Sequence, residues 1–239
     1  MAVVRWAPGL ADKEEDEMVR IGKIEREGAT GETERLFLAA EALLGRAPNF
    51  YRYLANSPLV AKMLLPLNAV LQRQGGGSVL PAKIKEMVVI KTSAVNGCAY
   101  CYAHNTSLGM AAGITEEQVR AIDSDDYMNS PLLSPREKAA IQWAEHVTRN
   151  TARERDDVFA ELRAHFTDAE IVELTLISGM FNMFNRFMDS LRIPLEPQDE
   201  IDKIKRSLDL DPENVRAYFQ TVLDNWPEAF PNPTAEAAE

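Results

Sequence analysis

Apolar residues in this chain recur at spacings of three and four and nowhere in strict alternation, which restricts it to packed helices. Leu36, Ala39, Ala40, Leu43 and Leu44 form the first stripe, stopped by Gly45 with Pro48 beyond it. Leu59, Met63, Leu64, Leu67, Val70 and Leu71 form a second, over about Pro58 to Gln74, ended by Gly75, Gly76 and Gly77. No Lys-Ser or Lys-Thr pair follows those glycines, so they make no phosphate loop. A third helix starts at Pro81, where a missing N–H costs nothing, and runs through Val95. Asn96 and Gly97 tolerate left-handed backbone angles and break it, so a fourth helix starts at Cys98 and continues to about Gly113.

Thr115, with Glu117 and Gln118 behind it, caps a fifth helix. Ser134, Pro135 and Glu137 form a capping box for a sixth, Arg136 to Arg149, and Phe159, Leu162 and Phe166 mark a seventh. Thr167 and Asp168 cap a long eighth helix. The fold class is therefore all-α. Three segments are expected: an irregular N-terminal arm over residues 1–30, a helical domain over 31–193, and an acidic C-terminal extension over 194–239. Pro194 and Pro197 close the globular part, one modest helix runs from Pro212 to Leu223, and the tail NPTAEAAE is expected to be disordered. A shift of 87 positions lays Ala82, Ile84, Glu86 and Ile90 on Ala169, Ile171, Glu173 and Ile177, and Tyr100 on Phe187, as an internal duplication would.

With 239 residues, 46% of them hydrophobic, the chain can bury a substantial core. The apolar run from Ile171 to Phe187 is interrupted by Glu173, Asn182, Asn185 and Arg186, so no membrane span is expected. The N-terminus lacks a basic region followed by a long apolar core, which predicts a cytoplasmic protein. Twenty-six lysines and arginines against 37 acids, a net charge of -11, argue against a nucleic-acid partner. The acids cluster toward the two ends, where they read as solvated.

Chemistry concentrates in EMVVIKTSAVNGCAYCYAHN, Glu86 to Asn105, which holds both cysteines and one of three histidines. Two thiols one helical turn apart share a face and can close a reversible disulfide. In a reducing compartment such a pair is catalytic or metal-binding rather than a static staple. A helix start at Cys98 favours the thiolate there, and the other thiol can then resolve an oxidised sulfur. His104, three residues after Cys101, is placed to move a proton. Glu86, on the preceding helix, is expected to approach His104 across the hairpin that the Asn-Gly break creates.

The order Glu, eleven residues, Cys, two residues, Cys, then His within a turn resembles the AhpD-like, or carboxymuconolactone decarboxylase, superfamily, and in particular its peroxidase-related branch. LSPREKAAIQWAEHVTRN from Leu133 and FTDAEIVELTLISGMFNMFNRFMDSL from Phe166 resemble a second block of that branch, and the resemblance covers about residues 33–193. It implies a bundle of packed antiparallel helices assembled as a homo-oligomer: a dimer, trimer or hexamer. It also implies a hydroperoxide substrate, a dithiol reductant or redox protein as electron donor, and no bound cofactor. By motif position Cys101 would be peroxidatic and Cys98 resolving, with Glu86 and His104 relaying protons, although the helix-start argument alone favours Cys98 as nucleophile. AhpD has its relay histidine four residues after the second cysteine, where this chain has Asn105, and another between the cysteines, where it has Tyr100. His104 is displaced from the relay position by one residue, about 100 degrees around a helix.

Three other functions compete. Cys98, Cys101 and His104 with His146 or His165 would make a four-ligand zinc set, though His146 and His165 otherwise read as solvated. A lactone decarboxylase of the same superfamily would not need the cysteine pair. A non-catalytic oligomeric protein would need no proton relay at all. Asn182, Asn185 and Arg186 are expected to satisfy buried helix ends, to meet an oligomer partner, or to line a cleft opposite the CxxC helix.

Overall fold

The helix that carries Glu86 is buried continuously from Ile84 to Ser93, because its apolar residues fall on every face and only a fully surrounded position satisfies them. This is α4 (Ala82–Asn96), the centre of a computed structural model that describes residues 19–229. Before it come α1 (Gly31–Leu44), α2 (Asn49–Leu54) and α3 (Pro58–Gln72). After it come α5 (Ala99–Ala111), α6 (Glu116–Asp123), α7 (Pro135–Thr148), α8 (Asp156–His165), α9 (Asp168–Leu191), α10 (Gln198–Asp202) and α11 (Pro212–Asp224). α5, α7 and α9 pack around α4, and no strand occurs among the described residues, only an isolated bridge between Gln74 and Asp209. The expected all-α fold is what forms.

Thr115, Ser134 and Thr167 each accept from a backbone N–H three residues on, and Gln118, Glu137 and Glu170 reach back to complete capping boxes. At Gly109 a Cβ would lie 3.2 Å from Ile90 Cδ1 and 3.3 Å from Glu86 Cβ, so the missing side chain lets α5 lie close on α4. A polar seam joins α4 to α9: Thr92 Oγ1 is 3.0 Å from Ser178 Oγ, and the Asn96 amide donates to Asn182 at 3.0 Å and to Asn185 at 2.8 Å. These two helices are the expected repeat units, and α9 runs unbroken where α4 stops at Gly97. No helix among the described residues is long and apolar enough to cross a membrane.

Two helices, α2 and α10, had no separate signal in the sequence. The segment after Pro194 is also more deeply integrated than an extension. Ile201, Ile204, Leu210, Tyr218 and Val222 are buried, the Tyr218 hydroxyl donates to the Lys62 carbonyl at 2.5 Å, and Leu210 N–H donates to the Gln74 carbonyl at 2.7 Å. Of the expected arm, residues 19–30 are irregular and the first eighteen lie outside the described residues, as does the tail NPTAEAAE.

Candidate active site

Gly97 adopts φ 73°, the left-handed angle that the Asn-Gly break predicts, and Cys98 N–H closes the turn on the Ser93 carbonyl at 3.0 Å. Cys98 is therefore the N-cap of α5, and Cys101 lies one turn on. Both thiols are free and buried. Cys101, but not Cys98, lines a cavity of about 60 Å³ together with Arg46, Phe50, Arg73, His104, Asn105 and Phe184. The Cys101 thiol is held well above its ordinary pKa, first by a hydrogen bond to Cys98 and then by burial, while the Asn185 amide pulls the other way. Asn185 is fully buried, accepts from Asn96 and donates to Ser93 Oγ at 3.4 Å. It thus fixes the end of α4 beside the cysteine turn. Asn182 donates to Thr148 Oγ1 at 3.2 Å, and Arg186 folds back onto the Asn182 carbonyl at 2.8 Å.

His104 stacks on Tyr100 with ring centroids 4.2 Å apart. Its Nδ1 is 2.8 Å from the Tyr100 carbonyl, so it carries the proton there. Its Nε2 is 3.1 Å from Oε2 of Glu196, close enough for an ion pair though not aligned as a hydrogen bond. The other oxygen of Glu196 accepts from Asn49 N–H at 2.6 Å and from the Tyr100 hydroxyl at 3.0 Å, with Arg46 Nη1 at 3.4 Å. Burial opposes ionisation of Glu196, but His104, Arg46 and the Asn49 N–H outweigh it and hold the carboxyl down at about 2.

The expected approach of Glu86 to His104 does not occur: Nε2 of the histidine faces Glu196, and the groups that act on Glu86 are Arg73, Gln72 and Lys85. Glu86 is completely buried, and neither oxygen makes a hydrogen bond of good geometry. Burial drives its carboxyl up to about 8, against the pull of Arg73, Gln72 and Lys85. Lys85 is lowered to about 8 by burial, and donates to the Arg73 carbonyl at 2.7 Å. Between Glu86 and the cysteine turn stands an amide chain: Gln72 donates to Asn105, and Asn105 donates to the Cys101 carbonyl at 2.6 Å. Asn105, in the slot of the AhpD histidine, is therefore a hydrogen-bonding residue that cannot titrate.

Sequence reasoning overlooked Arg46, Arg73, Gln72 and Glu196. The one available signal was an acid framed by Pro194 and Pro197, read as the edge of the fold. His146 is bonded to Thr151 and Arg155, each at 2.8 Å, and His165 to Glu161 at 3.1 Å. Neither histidine lines the cavity, and among the described residues no three His, Cys, Asp or Glu side chains gather as a metal set.

A buried thiol pair at a helix start, set in an all-helical core beside a small cavity, defines a class of cysteine-containing helical bundle. The family model for the carboxymuconolactone decarboxylase family matches residues 58–146. The uncharacterized protein YdfG of Bacillus subtilis is 32% identical over 103 residues, 43% of this chain and 69% of that one. Among solved structures, a protein of unknown function from Agrobacterium tumefaciens that bears an AhpD name is 28% identical, with a TM-score of 0.55 over 61% of this chain and 96% of that one. An uncharacterized peroxidase-related protein from Ralstonia eutropha, described as an alkylhydroperoxidase AhpD core, shares the fold at 22% identity, with a TM-score of 0.64 over 79% of this chain and 97% of that one. The chain belongs to the AhpD-like, carboxymuconolactone decarboxylase superfamily.

Proposed function

We propose that this protein is a thiol-dependent peroxidase that reduces a hydroperoxide through Cys101 and Cys98. The observation that carries the reading is the position of Cys101 on the cavity wall with Cys98 hydrogen-bonded to it from behind. Cys101 passes its proton to Nε2 of His104 and attacks the terminal oxygen of the hydroperoxide. The O–O bond breaks, Cys101 becomes a sulfenic acid, and the alkoxide leaves as an alcohol once protonated. The Cys98 thiolate then attacks the Cys101 sulfur, forming an S–S bond as water departs. An external dithiol or redox protein reduces the disulfide by exchange. His104, on the same wall and held by Glu196, returns the proton taken from Cys101 to the leaving oxygen, while Asn105, also on the cavity wall, holds the Cys101 carbonyl.

A homo-oligomer belongs to this reading. The outward faces of α3 and α9 leave Val60, Met63 and Leu67, and Val172, Leu176 and Met183, each about half exposed.

Peroxide consumption with a dithiol reductant tests the proposal. Cys101→Ser should abolish turnover, and Cys98→Ser should accumulate a Cys101 sulfenic acid that dimedone labels. If both variants consume peroxide like the wild type, or if oxidation never yields the internal disulfide, the redox reading is lost. Lactone turnover that survives both substitutions would point instead to decarboxylase chemistry.

A further inference from the structure

Two arginines line the cavity, and both keep hydrogen-bond donors in reserve. Arg73 is 1% exposed; its Nε donates to Ser207 Oγ at 3.2 Å and its Nη1 donates one of its two hydrogens to Gln72 Oε1 at 2.9 Å. Arg46 is 7% exposed; its Nη1 reaches Glu196, and its Nε is buried with no partner. An isolated guanidinium is among the most costly groups to keep from water, so donors of this kind call for an anion.

The acids nearby do not supply one. Glu196 is already engaged by the Asn49 N–H, Tyr100, His104 and Arg46, and Glu86 has both oxygens buried without a well-aligned donor, where burial disfavours its charged form. The cavity wall therefore sets two guanidinium groups against the single carboxylate of Glu196, which Arg46 shares with His104, Tyr100 and the Asn49 N–H. Its remaining wall is apolar, formed by Phe50, Phe181, Phe184 and Met188.

We infer that the cavity beside Cys101 binds the carboxylate of a small amphipathic molecule, with Arg73 as its main partner and Arg46 as its second. A volume of about 60 Å³ accommodates on the order of four or five water-sized groups, which matches a short aliphatic acid. A carboxylate brings one charge and two oxygens in the plane that a guanidinium recognises. A phosphate dianion would set a second charge against Glu196. The inference rests on the peroxidase reading for its consequence, that the preferred hydroperoxide carries a carboxylate. The binding itself does not depend on it.

The experiment follows alkylation of Cys101 by iodoacetamide in Cys98→Ser protein, with butanoate as the probe and butanamide as its neutral counterpart. Butanoate should protect Cys101 saturably, at one molecule per chain, and butanamide should protect at least roughly tenfold more weakly. Arg73→Gln should weaken butanoate protection by about tenfold or more, and Arg46→Gln by a smaller factor. Equal protection by acid and amide would overturn the inference, and so would inorganic phosphate protecting as tightly as butanoate. If Arg73→Gln does not fold, the contrast between acid and amide on the parent protein and on Arg46→Gln decides the matter. Butanoate protection without any peroxide turnover would keep the anion site and sink the peroxidase reading. Peroxide turnover with no preference for a carboxylate-bearing hydroperoxide would keep the peroxidase reading and overturn the inferred substrate preference.

Discussion

Glu86 and Glu196 are both buried beside α5, and their surroundings drive them apart. Burial raises the folded-state pKa of Glu86 from the ordinary 4.5 to about 8, and no well-aligned donor offsets it. Between those values the folded protein binds more protons than the unfolded chain, so this group lowers stability as pH rises from about 4.5 to about 8. Glu86→Gln keeps the shape and removes the titration. Urea melts from pH 5 to pH 9 should show a flatter stability profile for the variant, with its advantage over the wild type largest at the alkaline end. An unchanged slope would mean that Glu86 is ionised in the fold. Glu196 is the opposite case: its carboxyl is depressed to about 2, so its contribution is present above the unfolded value and is lost as pH falls toward 2. Glu196→Gln leaves Arg46 without its counter-charge and should cost about 3 kcal/mol at pH 7. Below pH 4.5 the gap between variant and wild type should close, which acid titration monitored by circular dichroism would reveal.

The cysteine turn is set by the break between α4 and α5. Gly97 sits at φ 73° with nothing within 4 Å of the place a methyl group would take, so Gly97→Ala meets no steric clash and its cost is the left-handed backbone alone, about 1 kcal/mol. The expected outcome is a lowered melting temperature and, under the proposed peroxidase chemistry, slower closure of a Cys98–Cys101 disulfide on oxidation; a melting temperature equal to the wild type would show that the turn tolerates a side chain. This break was legible in the sequence because it is written in two adjacent residues. So were the capping boxes at Thr115, Ser134 and Thr167, whose partners stand three positions away. α2, with six residues, is too short to display a helical period, and α10 is shorter still. The partner of His104 could not be read at all. Ninety-two positions separate it from Glu196, and only the path of the chain after α9 brings them together. The burial of Lys85 and Glu86 was hidden for a related reason: charged residues ordinarily mark a solvated face, and here α3 and α5 cover it.

At the scale of the molecule, the segment after α9 is a wall of the candidate site rather than an appendage. It supplies Glu196 to His104, Ser207 to Arg73, and Ile204 to the cavity lining. It also buries Ile201, Leu210, Tyr218 and Val222 against the body of the fold. Each such side chain contributes roughly 1.5–3 kcal/mol when withdrawn from water. Together with Ile204 they therefore contribute an amount comparable to the whole net stability of a typical domain, about 5–15 kcal/mol. A chain ended at residue 193 should consequently lose cooperative thermal unfolding. One ended at residue 210 keeps Glu196, Ser207 and the Leu210 N–H bond to Gln74, and loses only the α11 contacts of Tyr218 and Val222. It should melt cooperatively at a lower temperature, and Cys101 in it should retain the wild-type dependence of alkylation rate on pH. If the chain ended at 193 melts as the full protein does, the C-terminal segment is an independent addition to the fold. If the chain ended at 210 loses that alkylation profile, α11 rather than Glu196 is what sets the environment of the thiol.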